Sequence, residues 1–350
     1  MERRGSQTVF SPSTTGGRFR DRANWLSLGL FSVAALGVLQ FYDSPHGLLV
    51  PPFADEPILS LPLAAPAPDA FGTSGEVKIR FALPGERVEY PLEVSGDPST
   101  LSYQWVRLAD SAAASASRPL SGAEVVAPDA AGFYQLALLR GEDRRIVSGM
   151  TLTVLVPFSR KLGTSLNGYE IGEYVAERFG ARKTERPAGF VEIEEDELNL
   201  PITKHLRMAD FVAHDGQEGW PRYAAVNPRL LDKLELVMAQ IALWRGGPDS
   251  QVQVALDVHS GFRTPVYNRS VKRSARDSRH QYGDAADVTI DANGDGRFTL
   301  VDSKLVVLAV EAVERSHPEL VGGLGLYTSR RFQTPYVHID ARGRRARWRG

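Results

Sequence analysis

The stretch GDAADVTIDANGDGRFTLVD, residues 283 to 302, places a short apolar run, an acidic loop and the start of another apolar segment next to one another. Residues 284–290 predict a strand, and the periodic apolar positions that follow the loop predict a helix near 302–316. Asp287 lies within the strand and would point to one of its faces. The stretch therefore indicates an α+β unit whose strand carries a carboxylate.

The surrounding sequence extends this unit. Residues 228–244 predict a helix with one apolar face, since Asn227 can cap its start and Pro228 suits its first turn. We interpret this helix as scaffold. Further strands are predicted at 251–258, 321–327 and 336–341. Because strands and helices mix without a strict βαβ rhythm, residues 159–350 are expected to form an α+β layer domain.

Two histidines stand where they could share a metal ion with Asp287. His280 lies in SRHQYGD just before the strand, where Gly283 permits a tight approach, and His338 lies in the separate predicted strand YVHID. Three protein ligands with a fourth position open to water is the arrangement of a catalytic zinc site. A lone histidine is otherwise more often a surface or structural residue, so the spacing alone is weak evidence.

The acidic loop DANGDGRFTLVD matches the EF-hand calcium pattern, with Asp in place of Glu at its last position. The alternative is an acidic turn in which glycine supplies a positive φ. If calcium binds, its role is structural, because it would fix the end of the strand that bears Asp287. The predicted calcium ligands are Asp291, Asn293, Asp295, the Arg297 carbonyl, Thr299 and Asp302.

The sequence before residue 159 differs in character. Residues 43–74 are rich in Pro and Ala and predict a semi-extended tether. Short alternating runs separated by turn residues then predict an immunoglobulin-like β-sandwich at 75–158. Trp105 stands at the position of a buried central Trp, Tyr134 at a tyrosine corner, and Leu136 where antibody domains place their second Cys.

The N-terminus predicts a membrane anchor. Residues 25–42 carry no charge and would cover about 27 Å as a helix, close to the thickness of a bilayer core. Arginines outnumber acids in the preceding segment, so residues 1–24 are expected to remain cytoplasmic and the rest of the chain to lie outside. The alternative is a cleaved signal peptide, although the apolar run is longer than usual and no clear A-x-A site follows closely.

Composition excludes several classes of site. The 41 basic and 42 acidic residues give a net charge of -1, so there is no clustered basic excess that would indicate a nucleic-acid partner. Cysteine is absent, which excludes disulfides, thiolate nucleophiles and thiolate metal ligands. Any metal must therefore be held by His, Asp or Glu.

The motifs SGFRTPVYN, SRHQYGDAADV, GGLGLY and YVHIDARG, in this order, resemble the zinc D-Ala-D-Ala carboxypeptidase family of murein peptidases, whose fold is shared with the hedgehog signalling domain. The resemblance covers roughly residues 160–350. It implies that His280, Asp287 and His338 bind zinc and that Arg263 faces the substrate. It also implies hydrolysis of peptidoglycan stem peptides outside the bacterial cytoplasmic (inner) membrane, in the periplasm or its equivalent, by carboxypeptidase or endopeptidase action.

One departure from the family concerns the general base. Many members carry an acidic residue three positions before the last zinc histidine, whereas this chain has Pro335. Asp340 is one replacement, because it shares a strand face with His338, but it could equally orient that histidine. His259 is a second candidate. The departure leaves two functional classes open: an active zinc peptidase, and a catalytically degenerate protein that binds metal and peptidoglycan or acts as a scaffold.

Overall fold

The computed structural model describes residues 64–66, 72–90, 92–94, 97–120, 124–179, 186–247, 252–328 and 334–350. The predicted cytoplasmic tail, the predicted transmembrane helix and most of the predicted tether lie outside the described residues. Within the described part of the chain, no helix combines the length and apolar character needed to cross a bilayer. The described residues from Ala64 onward fall in one compact unit.

The N-terminal half of this unit contains only strands and short turns of helix. A mixed sheet of six strands runs in the order β2-β10-β8-β5-β6, with β9 added to β8, and β1–β4 and β3–β7 form two further pairs. The strands are β1 (Ala64–Pro66), β2 (Ile79–Ala82), β3 (Arg87–Glu89), β4 (Leu92–Val94), β5 (Ser102–Arg107), β6 (Arg118–Pro119), β7 (Glu124–Val126), β8 (Gly132–Arg140), β9 (Asp143–Ile146) and β10 (Thr151–Val154).

The sandwich positions that the sequence singled out lie in the core of this half. Trp105 is fully buried opposite Leu136 in the β5–β8 pair, and its Nε1 donates to the Val126 carbonyl at 2.7 Å. The Tyr134 hydroxyl donates to the carbonyl of Ala130, four residues upstream, at 2.9 Å. This hydrogen bond is the contact expected of a tyrosine corner.

The C-terminal half mixes strands and helices, which confirms the α+β class for the described residues. Its elements are β11 (Val156–Pro157), β12 (Ser165–Leu166), β13 (Tyr169–Glu170), α1 (Val175–Phe179), β14 (Gly189–Ile193), β15 (Arg222–Ala224), α2 (Pro228–Gly246), β16 (Leu256–Ser260), α3 (Pro265–Ser270), β17 (Ala285–Ile290), α4 (Leu300–Ser316), β18 (Gly323–Tyr327), β19 (Tyr336–Asp340) and β20 (Ala346–Arg349).

A five-stranded sheet in the order β16-β17-β19-β18-β20 is the framework of this half. The first four strands pair antiparallel, and β20 pairs parallel with β18. Helices α2 and α4 pack against each other, and α4 also contacts β17 and β19. Helix α2 begins as predicted, because Asn227 Oδ1 accepts the Arg229 amide at 3.0 Å.

One strand prediction was wrong at both ends. Residues 252–255 are not in a strand, and β16 instead continues through His259 and Ser260, beyond the predicted end at residue 258. The partner strand explains the difference. Leu256 pairs with Ile290, the last residue of β17, and the Asp291 amide to Ala255 carbonyl bond is the last link before the chain turns into the acidic loop. The alternation of apolar and polar residues in one strand does not show where its partner strand ends, so it could not predict the bounds of β16.

The two halves share apolar packing. Val77, Ile79 and Phe133 belong to the same core cluster as the buried face of α2. The buried carboxylate of Asp232 on α2 accepts the backbone amides of Thr73 at 3.0 Å and Ser74 at 2.7 Å. The last residues of the predicted tether, directly before the sandwich, are therefore hydrogen-bonded to the helix that the sequence identified as scaffold.

Candidate metal centre

His280, Asp287 and His338 come together as a buried group, called here the His-Asp-His cluster. One ligand atom from each side chain lies within 4.8 Å of the others. His338 Nδ1 is 2.9 Å from Asp287 Oδ1 and 3.1 Å from His280 Nε2. His280 Nε2 lies 3.3 Å from the same carboxylate oxygen. Two imidazole nitrogens and one carboxylate oxygen thus face a common point, which is the donor set that suits zinc.

The sheet register and one turn bring these residues together. Asp287 on β17 and His338 on β19 are direct cross-strand partners. His280 lies in the short helical turn just before β17. This turn ends at Gly283, which has a φ of +67. A Cβ at Gly283 would overlap the Ala225 carbonyl group, so the turn packs directly on that backbone. Only glycine fits both the conformation and the close approach.

The outward nitrogen of each histidine is also held. His280 Nδ1 donates to the Gly261 carbonyl at 2.6 Å, which leaves Nε2 with its lone pair toward the cluster. His338 Nε2 lies 3.2 Å from Asp340 Oδ2, which leaves Nδ1 facing inward. Outer partners of this kind fix the tautomer and ring orientation of metal-binding histidines. Both rings are therefore oriented for a cation at the common point.

Asp340 contacts His338 on the side opposite the cluster. Its carboxylate is completely buried and accepts hydrogen bonds from the Gly323 amide at 2.6 Å and from Arg342 Nε at 2.8 and 2.9 Å. These contacts fit the orienting role that the sequence left open. They do not place an Asp340 oxygen beside the inward nitrogen of His338, where a general base would act.

Arg263 lies against the outer side of Asp287. Its Nη2 pairs with Asp287 Oδ2, its Nε donates to Ser260 Oγ at 2.7 Å, and its backbone amide donates to the His280 carbonyl at 3.1 Å. The side chain retains only 12% exposure. Arg263 therefore orients a cluster residue, and a guanidinium has further N–H donors that could reach a substrate.

His259, the second candidate base, lies at the irregular point of β16 where the register with β17 shifts. Its Nε2 is 3.1 Å from Asp257 Oδ2 and 3.4 Å from Thr289 Oγ1, and its ring centroid is 5.9 Å from that of Tyr336. It makes no hydrogen bond to the cluster within the described residues. Its side chain, about one-third exposed at 34%, lies on the edge strand of the same sheet.

The pKa values of the three cluster residues are shifted in different directions. Burial lowers the pKa of His280, and nearby Asp287 only partly offsets this. Burial would also lower the pKa of His338, but hydrogen bonds to the Asp287 and Asp340 carboxylates raise it above its ordinary value. Burial opposes ionisation of Asp287, yet His280 and His338 hold the pKa of its carboxyl well below the usual range. Of the two rings, His338 is thus the one that gains a second proton first as the pH falls.

The raised pKa of His338 predicts how zinc binding depends on pH. A proton and a cation compete for Nδ1, so affinity is present above this pKa and falls as the pH drops through it. Since histidine ordinarily titrates near about 6.5, we expect the loss to begin above that value. Zinc titrations between about pH 5.5 and 8 would measure it. A flat affinity across this range would contradict the assignment of His338 as a ligand.

An aromatic wall that the sequence did not predict lies beside His338. The Trp348 ring centroid is 5.0 Å from that of His338, and Trp348 Nε1 donates to the Tyr327 hydroxyl at 2.9 Å. Tyr327 in turn stacks on Tyr336 at 4.6 Å. Gly325 leaves room for the indole, because a Cβ there would overlap Trp348. Strand β20 therefore completes the sheet and also brings Trp348 against one side of the cluster.

Carboxylates of the acidic loop accept hydrogen bonds from the loop's own backbone amides. The Asp291 carboxylate accepts the amides of Gly294, Asp295 and Gly296 at 2.8 to 3.1 Å. Asp302 accepts the Thr299 amide and hydroxyl at 2.9 and 2.7 Å and so caps α4. Within the described residues, the His-Asp-His cluster is the one group of three or more histidine or acidic side chains that converges on a point. The loop carboxylates do not converge in this way.

Comparison with known proteins gives no matching family model and no matching curated protein. A crystal structure of Serratia marcescens L-Ala D-Glu endopeptidase ChiX is similar over 33% of this chain and 80% of its own, with 20% identity and a TM-score of 0.23. A structure of Sidekick-1 immunoglobulin domains 1–4 is similar over 22% of this chain, with 16% identity and a TM-score of 0.15. This chain spans 20% of the Sidekick-1 structure. TM-scores this low carry no argument about the chemistry of this chain.

Proposed function

We propose that this chain is a zinc-dependent peptidase that hydrolyses peptide bonds in peptidoglycan stem peptides. The observation that carries the proposal is the His-Asp-His cluster, with three inward-facing donor atoms and an oxygen partner on the outward nitrogen of each imidazole. The substrate class rests on the motifs that resemble murein peptidases. Carboxypeptidase and endopeptidase action are both compatible with these features.

The proposed hydrolysis would depend on both the zinc ion and the protein residues that hold it. Bound zinc would act as a Lewis acid and make water a stronger nucleophile at neutral pH. The protein residues hold the donor atoms: Gly261 and Asp340 orient the two imidazoles, and Arg263 orients Asp287. The Trp348 indole covers one side of His338 and is held by the Tyr327 hydroxyl, and excluding water there strengthens electrostatic interactions.

Arg263 provides a test of substrate contact. We expect Arg263→Lys to lower kcat/KM by about 100-fold, because lysine cannot hold Asp287 and Ser260 with one planar fork and also donate to a developing oxyanion. Rates with purified muropeptides at saturating zinc would measure this. Arg269→Lys, at an exposed position on α3, is the matched control and should retain full activity. Unchanged kinetics in Arg263→Lys would remove Arg263 from the site.

The direct test of the proposed function uses the full-length chain, purified in detergent. It is incubated with purified muropeptides in three states: as isolated, after treatment with a chelator, and after zinc is added back. We expect product in the first and third states only. Zinc binding without product in any state would instead favour the catalytically degenerate protein, a possibility raised by Pro335 and by the contacts that occupy Asp340.

We also propose that residues 25–42 anchor the protein in a bacterial cytoplasmic (inner) membrane, with the cluster on the outer side. The basis is the uncharged run and the arginines before it. Extraction of isolated membranes with alkaline carbonate tests the anchor. Recovery of the protein in the soluble fraction, shortened at its N-terminus, would favour a cleaved signal peptide.

The acidic loop is proposed as a structural calcium site on the strength of its sequence pattern. Calcium should then raise the melting temperature of the wild type, since a ligand stabilises the state that it binds. Asp295→Ala should abolish this rise, whereas Asp143→Ala, at an exposed position on β9, should keep it. A wild type that melts at the same temperature with and without calcium rules out the site.

A further inference from the structure

Helix α2 carries a lysine on its buried face. Lys233 has no exposed surface and follows the core residues Leu230 and Leu231, which are also fully buried. Removing an ammonium group from water is costly, and apolar residues of similar volume often stabilise a core as well or better. The contacts of Lys233 therefore require an explanation other than core packing.

Its ammonium group joins two elements. Lys233 Nζ donates to Glu314 Oε1 on α4 at 2.7 Å and to the backbone carbonyl of Asp340 on β19 at 2.7 Å. Glu314 Oε1 also accepts the Gly322 amide at 3.0 Å, and Glu314 Oε2 pairs with Arg347 on β20. One buried ion pair therefore links α2 and α4 to β19, to β20 and to Gly322 just before β18, in the sheet that carries the His-Asp-His cluster.

The residue that Lys233 holds is the one that orients His338. The Asp340 carbonyl accepts from Lys233, while the Asp340 carboxylate contacts His338 Nε2 at 3.2 Å. The adjoining Gly322–Gly323 segment leaves no spare room. A Cβ on Gly322 would overlap the Asp340 carbonyl oxygen, and a Cβ on Gly323 would overlap its carboxylate. The backbone of Asp340 is therefore fixed from the α2 side and from the β18 side.

We propose that Lys233 is a positioning residue for the metal centre. By fixing the backbone of Asp340, it sets the angle at which the carboxylate meets His338 and hence the direction of the inward nitrogen. The inference rests on the proposed metal site but not on peptide hydrolysis. Helix α2, interpreted from sequence as scaffold alone, then contributes to metal affinity through a chain of two hydrogen-bonded contacts.

The test compares two buried charges on the same helix. Lys233→Met removes the ammonium and keeps the side-chain length. Glu235→Met is the matched control, because Glu235 is also buried and bonds to Thr203 and His205, away from the cluster. The full-length proteins are titrated with zinc against a competing chelator. The absorption spectrum with Co²⁺ in place of zinc reports ligand geometry independently of activity.

We expect Lys233→Met to weaken zinc binding by about tenfold, in the range typical of outer partners, and to alter the Co²⁺ spectrum. Glu235→Met should lower the melting temperature but leave zinc affinity and spectrum unchanged. If Lys233→Met does not fold, the double variant Lys233→Met with Glu314→Gln replaces it, since removing both charges avoids a buried carboxylate that has lost its lysine partner.

Zinc affinity and a Co²⁺ spectrum equal to wild type in either folded variant would overturn the proposal. Equal losses in Lys233→Met and Glu235→Met would also overturn it, since a general loss of stability would then explain both. A wild type that binds no zinc is a separate outcome and rejects the metal site itself. If the wild type binds zinc but cleaves no peptide, the peptidase proposal fails. The positioning role of Lys233 is then still decided by the zinc affinities of the variants.

Discussion

Replacement of His280 by alanine should lower zinc affinity by more than about a hundredfold, which is beyond the cost of losing an outer partner. The change removes one of three inward donors. It leaves Asp287 and His338 in contact across their strands, and within the described part of the chain the outward hydrogen bond that it removes is the one to the Gly261 carbonyl. The loss should therefore appear in metal binding more than in folding.

Zinc content after dialysis, and zinc titration against a chelator, would measure this effect. His214→Ala provides the control, because His214 is exposed and lies outside the cluster. Peptide hydrolysis should fall in parallel with zinc occupancy. If His280→Ala retains wild-type zinc affinity, His280 does not bind the ion, and the peptidase proposal loses the observation on which it depends.

Gly283→Ala should destabilise the fold strongly, for two separate reasons. Its φ of +67 disfavours any side chain, and the new Cβ would overlap the Ala225 carbonyl. The two effects together should cost about 3 kcal/mol or more. Because Gly283 closes the turn that carries His280, the variant should also bind zinc more weakly.

Gly141→Ala separates the two causes. Gly141 has a similar φ of +58, but a Cβ there would meet nothing within 4 Å. It should therefore cost only the conformational strain, about 1–2 kcal/mol. Urea unfolding of both variants, followed by zinc titration, would compare them. Equal stability losses, with zinc affinity retained in Gly283→Ala, would show that the contact with Ala225 does not shape the site.

The fold was predictable where local patterns suffice. The apolar period of 228–244 and its Asn227–Pro228 start predict α2 closely, and the runs at 284–290 and 336–341 predict β17 and β19. Pairing was not predictable in the same way. The parallel placement of β20 beside β18 joins segments whose order in the sheet depends on packing, not on their own composition.

The same distinction between local pattern and long-range pairing applies to the candidate site. The three cluster residues could be proposed because their types and motifs limit the choice. Their supporting contacts could not, because Lys233 and Asp340 lie 107 positions apart and meet only when α2 packs on the sheet. The choice between base and orienter for Asp340 likewise depends on which imidazole nitrogen it contacts, and sequence carries no such information.

The hydrogen bonds from Thr73 and Ser74 to Asp232 join the segment directly before the sandwich to the half that carries the His-Asp-His cluster, so the two halves are not interchangeable modules. Replacing the N-terminal half in front of residues 159–350 would leave the buried Asp232 carboxylate without these two donors. It would also remove Val77, Ile79 and Phe133 from the shared core. The helix so disturbed is the one that bears Lys233. Replacing the N-terminal half would therefore affect the His-Asp-His cluster without altering any residue in it.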